Sequence, residues 1–236
     1  MIKIQRNDVE FDASGDWRAV AAVGMSTLEA ASRDGTPMDF DDAIYTDPRL
    51  KDYLWGSQHY KCCYCEKPVG VKFQHVEHFR PKARARRSKV ITTEGYWWLA
   101  YDVSNLLLSC PECNNYKRDW FPLEENSPSV APGEDPLSVG ELPTLIDPLR
   151  EDPENHLMFV ELPSGQWRIA GRTQRGWTTI DTLHLDSDAL DKQRQSVGRG
   201  ASRRRRTTLD GPEDVEPDVH FANLVRSALR ATSVNP

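Results

Sequence analysis

Apolar residues recur at helical spacing in the first quarter of the chain. Trp17, Val20 and Ala21 fall on one face by i, i+3, i+4 spacing within an Ala-rich stretch, and this pattern predicts an amphipathic helix. Further along, Asp47 followed by Pro48 is typical of a helix N-cap with proline at the first helical position. A second helix is therefore expected over R-L-K-D-Y-L-W-G.

The middle of the chain shows two short apolar runs and then a helix start. Residues 71–79 have the pattern of a strand that Pro81 would stop, and residues 105–109 predict a second short strand. Pro111 follows at a position where a helix can begin without a donated N–H. The order strand, strand, helix predicts a compact ββα unit.

Composition and sequence motifs together divide the chain into four segments. Pro, Ser, Gly and Glu dominate between residues 123 and 144, which predicts a flexible acidic linker. Beyond it, L-M-F-V-E-L and Q-W-R-I-A are typical of two strands joined by the turn P-S-G, and an amphipathic helix comes last. We expect an α+β fold with N-terminal helices (1–60), a central ββα module (61–122), the linker (123–144) and an α/β C-terminal extension (145–236).

Four cysteines occur in two C-x-x-C pairs that frame the central module. Cys62 and Cys65 form the first pair, Cys110 and Cys113 the second, and Cys63 is left over. Four thiolates at this spacing predict a tetrahedral, closed and therefore structural Zn²⁺ site. A signal-peptide pattern and a run of eighteen apolar residues are both missing from the sequence, so we expect a cytoplasmic protein without a membrane span.

Charge is distributed unevenly along the chain. The formal net charge is −6, yet residues 57–120 contain eleven Lys and Arg against six Asp and Glu, which gives +5 there and leaves −11 elsewhere. Because local potential governs the encounter with a polyanion, a basic segment in an acidic chain can still meet phosphates. The run K-A-R-A-R-R-S-K at residues 82–89 is the densest part of it.

The central module also contains residues suited to phosphodiester hydrolysis. His78 can take a proton from water, with His75 as the rival histidine. Glu77 and the amide oxygen of Asn114 are suitable ligands for a catalytic Mg²⁺ or Mn²⁺. Asn105 is expected to support the site by pinning the loop that carries the histidine strand. One difficulty is that Glu77 and His78 would point to opposite faces of a regular strand.

Three cations near these residues are candidate phosphate contacts. Arg80 and Lys82 follow His78 closely, and Lys117 lies three positions after Asn114 on the expected helix. Each could hold the scissile or a flanking phosphate electrostatically.

The pattern C-x-x-C … E-H-F-R-P-K … S-N-L-L-L-S-C-P-E-C-N-N-Y-K resembles the HNH endonuclease ββα-metal module with zinc knuckles. His78 matches the general base of that module, Asn105 its middle Asn, and Asn114 its last position, where many members have His. Glu77 stands where Asp is common. The resemblance implies a nuclease module over residues 61–122.

A broader resemblance covers I-K-I-Q-R, I-D-P-L-R-E-D-P-E-N-H-L-M-F-V and T-T-I-D-T-L-H-L-D-S-D-A-L-D-K-Q-R. These segments are similar to the HNH subunits of Septu antiphage systems and of some retrons. That similarity implies a DNA endonuclease subunit acting beside an ATPase subunit in bacterial defence. The tail after Leu185, with its run Arg203 to Arg206 and its final helix, is the expected docking element.

Two alternatives remain open from the sequence. The module could act on tRNA or another structured RNA, because such a centre contacts backbone more than bases. The chain could instead be a zinc-stapled binding subunit without activity.

Overall fold

A computed structural model describes residues 1–8, 11, 15–68, 70, 72, 74–205, 211–219 and 221–230, without the side chains of 203–205. The described residues contain eight α-helices: α1 (Asp16–Asp34), α2 (Asp42–Tyr45), α3 (Pro48–Ser57), α4 (Pro111–Lys117), α5 (Pro136–Val139), α6 (Gln174–Leu183), α7 (Asp188–Arg205) and α8 (Ala222–Arg230). None of these helices is both long and apolar enough to cross a membrane.

Within the described residues, six strands form three antiparallel pairs, each a separate two-stranded sheet. They are β1 (His75–His78) with β4 (Leu106–Ser109), β2 (Arg84–Arg86) with β3 (Thr92–Glu94), and β5 (Leu157–Glu161) with β6 (Trp167–Gly171). Small sheets with helices around them give the mixed α+β architecture that the sequence predicts.

Strand β4 lies between two hydrophobic clusters. Leu106 and Leu108 pack with the N-terminal helices, whereas Leu107 packs with the cysteine segment and the C-terminal elements. This opposite placement follows from the two-residue period of a strand. Because both faces of β4 are covered, its sequence is a continuous apolar run and not an alternating one.

The helix starts predicted from proline are found where expected. Pro48 begins α3, and the Asp47 carboxylate accepts a hydrogen bond from the Arg49 N–H at 2.8 Å. Pro111 begins α4, where the Cys110 sulfur accepts from the Cys113 N–H. The predicted face of α1 is only partly right, since Val20 is 52% exposed.

Segment 123–144, expected to be a flexible acidic linker, is built into the fold. It contains α5 and closes on itself through hydrogen bonds from the Glu124 N–H to the Leu142 carbonyl and from the Thr144 N–H to the Pro122 carbonyl. The Glu141 side chain is buried against the central module. The expectation failed because a polar, Pro-rich composition indicates exposure to solvent but does not show which residues bond to distant parts of the chain.

The expected division between the central module and the C-terminal extension is also not seen in the packing. One cluster joins the cysteine segment, β5, β6, α6 and α8, and it includes Ile2 and Ile4 from the start of the chain. Asn223 of α8 donates to the Met1 carbonyl at 3.0 Å. The apolar side of α8, expected to be an exposed docking stripe, is therefore core; the side chains of Arg203 to Arg206 lie outside the described residues.

Candidate active site and zinc cluster

Cys62, Cys65, Cys110 and Cys113 come together as the spacing predicts. Their sulfur atoms all lie within 4.8 Å of one another, and all four side chains are buried. The Cys65 and Cys110 sulfurs are 3.8 Å apart. Since Zn–S bonds are about 2.3 Å long, a tetrahedral zinc sets its sulfurs about 3.8 Å apart. The cluster could therefore hold one zinc ion.

Backbone geometry supports this cluster. The Cys110 N–H donates to the Cys62 sulfur at 3.3 Å, and the Glu66 N–H donates to the Cys62 carbonyl at 3.1 Å. Glu66 has a positive φ of 62°, so the chain turns back sharply after Cys65. Cys63 is buried but lies outside the cluster, and burial raises the pKa of its thiol well above the ordinary value.

A cleft of about 310 Å³ opens beside β1, the start of β2 and α4. The residues that line it are Val76, Glu77, His78, Pro81, Lys82, Ala83, Arg84, Asn114, Arg118 and Asp119. Glu77, His78 and Asn114 thus share one cleft. His75 is exposed at the other end of β1 and is not among the lining residues.

Glu77 lies at the floor of the cleft and is held by three side chains. One carboxylate oxygen accepts from Lys117 Nζ at 2.5 Å and from the Tyr64 hydroxyl at 3.3 Å, and the other accepts from Asn114 Nδ2 at 2.9 Å. Burial raises the pKa of Glu77, and the nearby Lys117 charge opposes that shift. The carboxylate is therefore fixed in place and partly neutralised.

His78 is the last residue of β1, and the chain bends immediately after it. Its Nε2 is 2.9 Å from the Ala100 carbonyl oxygen, and its ring packs edge-on against Tyr45. Burial, assisted by the Lys82 charge, lowers the pKa of His78 to about 3. The imidazole is neutral at neutral pH, and the end of the strand allows Glu77 and His78 to serve the same cleft.

Asn105 joins the segment after β1 to the turn that precedes β4. Its Oδ1 accepts from the Arg80 N–H at 2.8 Å, and its Nδ2 donates to the Arg80 carbonyl at 3.0 Å and to the Leu99 carbonyl at 3.2 Å. The side chain is buried and faces backbone on both sides. It fixes the position of the loop that follows His78.

Two of the three expected phosphate contacts are placed elsewhere. Arg80 points away from the cleft and pairs with Glu141, with Nε 2.8 Å from a carboxylate oxygen. Lys117 is fully buried, and its Nζ donates to the His78 carbonyl at 2.9 Å as well as to Glu77. Sequence proximity to His78 and Asn114 suggested a role that burial prevents. Lys82 does line the cleft, with its Nζ 4.4 Å from the centre of the Tyr45 ring.

Arg84 and Arg118 also line the cleft. Arg84 belongs to the basic run at residues 82–89 that was expected to meet phosphates, but neither arginine is among the three named phosphate contacts. Arg84 is paired with Asp119 at 2.6 Å but its side chain is 70% exposed, and Arg118 is exposed at the end of α4. The sequence R-A-R at residues 84–86 alternates charged and apolar residues, and this pattern predicts a strand with both arginines on its outward face. The structure shows such a strand, with Ala85 buried.

The site thus combines a cleft, which has a neutral buried histidine, a fixed carboxylate and a basic rim, with a four-cysteine cluster that could hold a metal ion, in an α+β protein. No protein-family model matches the chain. The chain is 32% identical over 197 residues to the Septu protein PtuB of Bacillus mycoides (strain KBAB4), covering 80% of this chain and 65% of PtuB. It is 29% identical over 154 residues to the Septu protein PtuA of the same organism, covering 63% of this chain and 20% of PtuA.

The chain therefore spans less than two thirds of the PtuB length and one fifth of the PtuA length. Over these parts of their length, the chain is similar to two proteins of the Septu system.

Proposed function

We propose that the chain is a metal-dependent endonuclease that hydrolyses phosphodiester bonds of DNA. The observation that supports this best is the convergence of Glu77, His78 and Asn114 on one cleft of the β1–β4–α4 unit. A base, a carboxylate and a side-chain amide at one surface are suited to metal-assisted attack of water on a phosphodiester.

His78 is the proposed general base. A carbonyl oxygen only accepts hydrogen bonds, so the 2.9 Å contact with Ala100 places the ring proton on Nε2. Nδ1 then keeps its lone pair and can take a proton from the attacking water. Burial lowers the pKa of His78 to about 3, so the ring is unprotonated at neutral pH.

The donor set at the cleft fits a hard divalent cation. Glu77 and the side-chain oxygen of Asn114 would hold Mg²⁺ or Mn²⁺, with the Asn114 amide turned so that oxygen replaces nitrogen toward the cleft. When bound, such an ion supplies charge relief at the phosphate and at the leaving oxygen. Lys117 keeps the carboxylate oriented, and this is the role we assign to it in place of phosphate contact.

The basic rim is proposed to receive the substrate backbone. Lys82 lies inside the cleft, and Arg84 and Arg118 lie at its exposed edge. A phosphate would compete with Asp119 for Arg84, since their pair is exposed on the arginine side and therefore worth little.

We further propose that the chain acts as the nuclease subunit of a Septu-type antiphage defence complex with an ATPase partner. Similarity to PtuB and PtuA supports the defence role. The partner is implied by the family resemblance of the sequence.

The test compares His78→Ala with His75→Ala on the same strand. Plasmid DNA and bulk RNA are incubated with each variant and Mg²⁺ or Mn²⁺, with and without the ATPase subunit. His78→Ala should slow DNA cleavage ~10²- to 10⁴-fold, while His75→Ala should cut normally. Cleavage of RNA alone would move the substrate class to RNA, and no cleavage by any form would favour a binding subunit.

A further inference from the structure

Glu141 lies outside the β1–β4–α4 unit but contacts it at a buried position. Its side chain is 1% exposed, and it belongs to the segment 123–144 that closes on itself beside the unit. One carboxylate oxygen accepts from Arg80 Nε at 2.8 Å, and the other accepts from the Tyr96 hydroxyl. The carboxylate therefore joins two parts of the chain, which Asn105 also links through its hydrogen bonds with the Arg80 backbone and the Leu99 carbonyl.

The first of these parts is the end of the His78 strand. Arg80 follows His78 by two residues, and its backbone N–H and carbonyl are both held by Asn105. Its guanidinium lies over the Phe79 and Phe121 rings at 5.6 and 5.8 Å. Backbone and side chain are thus both fixed, and Glu141 supplies the charge that keeps a buried arginine in this place.

The second part is the turn that presents the Ala100 carbonyl. Tyr96 precedes the 3₁₀ turn Trp97–Leu99, and its N–H donates to the Pro81 carbonyl at 2.8 Å. Its hydroxyl accepts from Arg87 Nη2 at 2.9 Å while donating to Glu141. The Ala100 carbonyl that binds His78 Nε2 comes directly after this turn.

We propose that Glu141 is a positioning residue for the His78 base, acting through Arg80 on the strand side and through Tyr96 on the carbonyl side. This inference rests on the proposed function. Together with Asn105, which bonds the backbone of both parts, this carboxylate holds the imidazole and the Ala100 carbonyl in place relative to each other. That arrangement favours the Nε2–H tautomer and fixes the direction of Nδ1. A displacement of about 1 Å at such a base can cost on the order of 10²-fold in rate.

The variant that tests it is Glu141→Gln, which keeps the side-chain volume and removes the charge. The matched control is Glu154→Gln, because Glu154 is also a nearly buried carboxylate, paired with Arg226 and Arg230 at 2.7 and 2.6 Å in the C-terminal part of the core. Each variant is compared at equal folded fraction. Tyr96→Phe is a milder second variant, since it removes only the hydroxyl that meets Glu141.

Three measurements are made on the full chain, with the cleavage-active complex used for rates. At saturating duplex DNA, Glu141→Gln should lower the single-turnover cleavage rate ~10- to 100-fold with DNA affinity unchanged, and Tyr96→Phe should lower it less. Ring ¹⁵N resonances of His78 should show the Nε2–H tautomer in the wild type and a mixture in Glu141→Gln. Glu154→Gln should leave both the rate and the ring spectrum as in the wild type.

A wild-type rate and ring spectrum in Glu141→Gln would overturn the inference. So would an equal rate loss in Glu154→Gln, because the effect would then be general destabilisation. If the wild-type protein cuts nothing, the proposed function fails, but the ring spectra still decide whether Glu141 positions His78.

Discussion

Replacing Lys117 with methionine tests whether this lysine holds Glu77 or contacts substrate. The ammonium group is fully buried and lies 2.5 Å from a carboxylate that is itself 3% exposed. Lys117→Met removes the cation at similar length and leaves a buried carboxylate without its counter-charge. Breaking a buried ion pair on one side costs about 3–5 kcal/mol. At about 2–4 °C per kcal/mol for a chain of this size, the melting temperature should fall by about 10 °C.

The assay is urea denaturation of zinc-loaded protein at neutral pH without Mg²⁺. Lys67→Met is the matched control, since Lys67 pairs with Glu112 at 3.0 Å but the side chains are 23% and 60% exposed. Its loss should cost no more than about 1 kcal/mol. The double variant Lys117→Met with Glu77→Gln should regain much of the lost stability, because neither buried partner is then charged.

DNA-binding measurements also distinguish a lysine that holds Glu77 from one that contacts a phosphate. A lysine that contacts a phosphate contributes about one unit to the salt dependence of log K, and its removal lowers that slope. Lys117→Met should leave the slope unchanged. A loss below about 1 kcal/mol in stability, together with a reduced salt slope, would refute the structural role and return Lys117 to the phosphate contacts.

Three further outcomes are expected. Cys110→Ser should release the bound zinc, measured by mass spectrometry, and lower the melting temperature, whereas Cys63→Ser should retain the metal. Burial raises the pKa of Asp147, so the folded chain binds this proton more tightly than the unfolded chain, and stability falls as pH rises from the unfolded to the folded pKa. Asp147→Asn should therefore be more stable than wild type at neutral pH. This gain should shrink towards about pH 4, as measured by denaturation across that range. In α7, Gly198→Ala would place its Cβ against the Trp167 indole and should lower stability by about 1–3 kcal/mol. Gly200→Ala meets open space and should raise stability by about 0.5–1 kcal/mol. Equal melting temperatures for the two variants would contradict the packing of this helix.

The parts of the structure that the sequence predicts are those decided by nearby residues. Each C-x-x-C pair fixes its own turn geometry, and two such pairs indicate one shared metal, so the cluster of Cys62, Cys65, Cys110 and Cys113 could be anticipated although the pairs lie far apart in the chain. Pro48 and Pro111 mark helix starts because their missing N–H is needed nowhere else.

What the sequence did not predict depends on partners far along the chain. Arg80 and Glu141 are 61 residues apart, and nothing local distinguishes this arginine from one that faces solvent. Lys117 looked available because a helix pattern shows which residues share a face but not whether that face is covered. Arg84 was hidden inside a run of like charges, where only the alternation around Ala85 indicated which way it points.

The meeting of residues 1–4 with α8 has a consequence for the order of folding. Asn223 and Met1 are 222 residues apart in the chain yet share a hydrogen bond within the cluster that covers the cysteine segment. Contacts of such separation form late, because loop closure must precede them. During synthesis, which proceeds from the N-terminus, the cysteine segment emerges well before α8 can cover it. Early zinc capture would protect the exposed thiols and apolar surface during that interval, so metal supply during synthesis should affect the yield of folded protein as well as its stability.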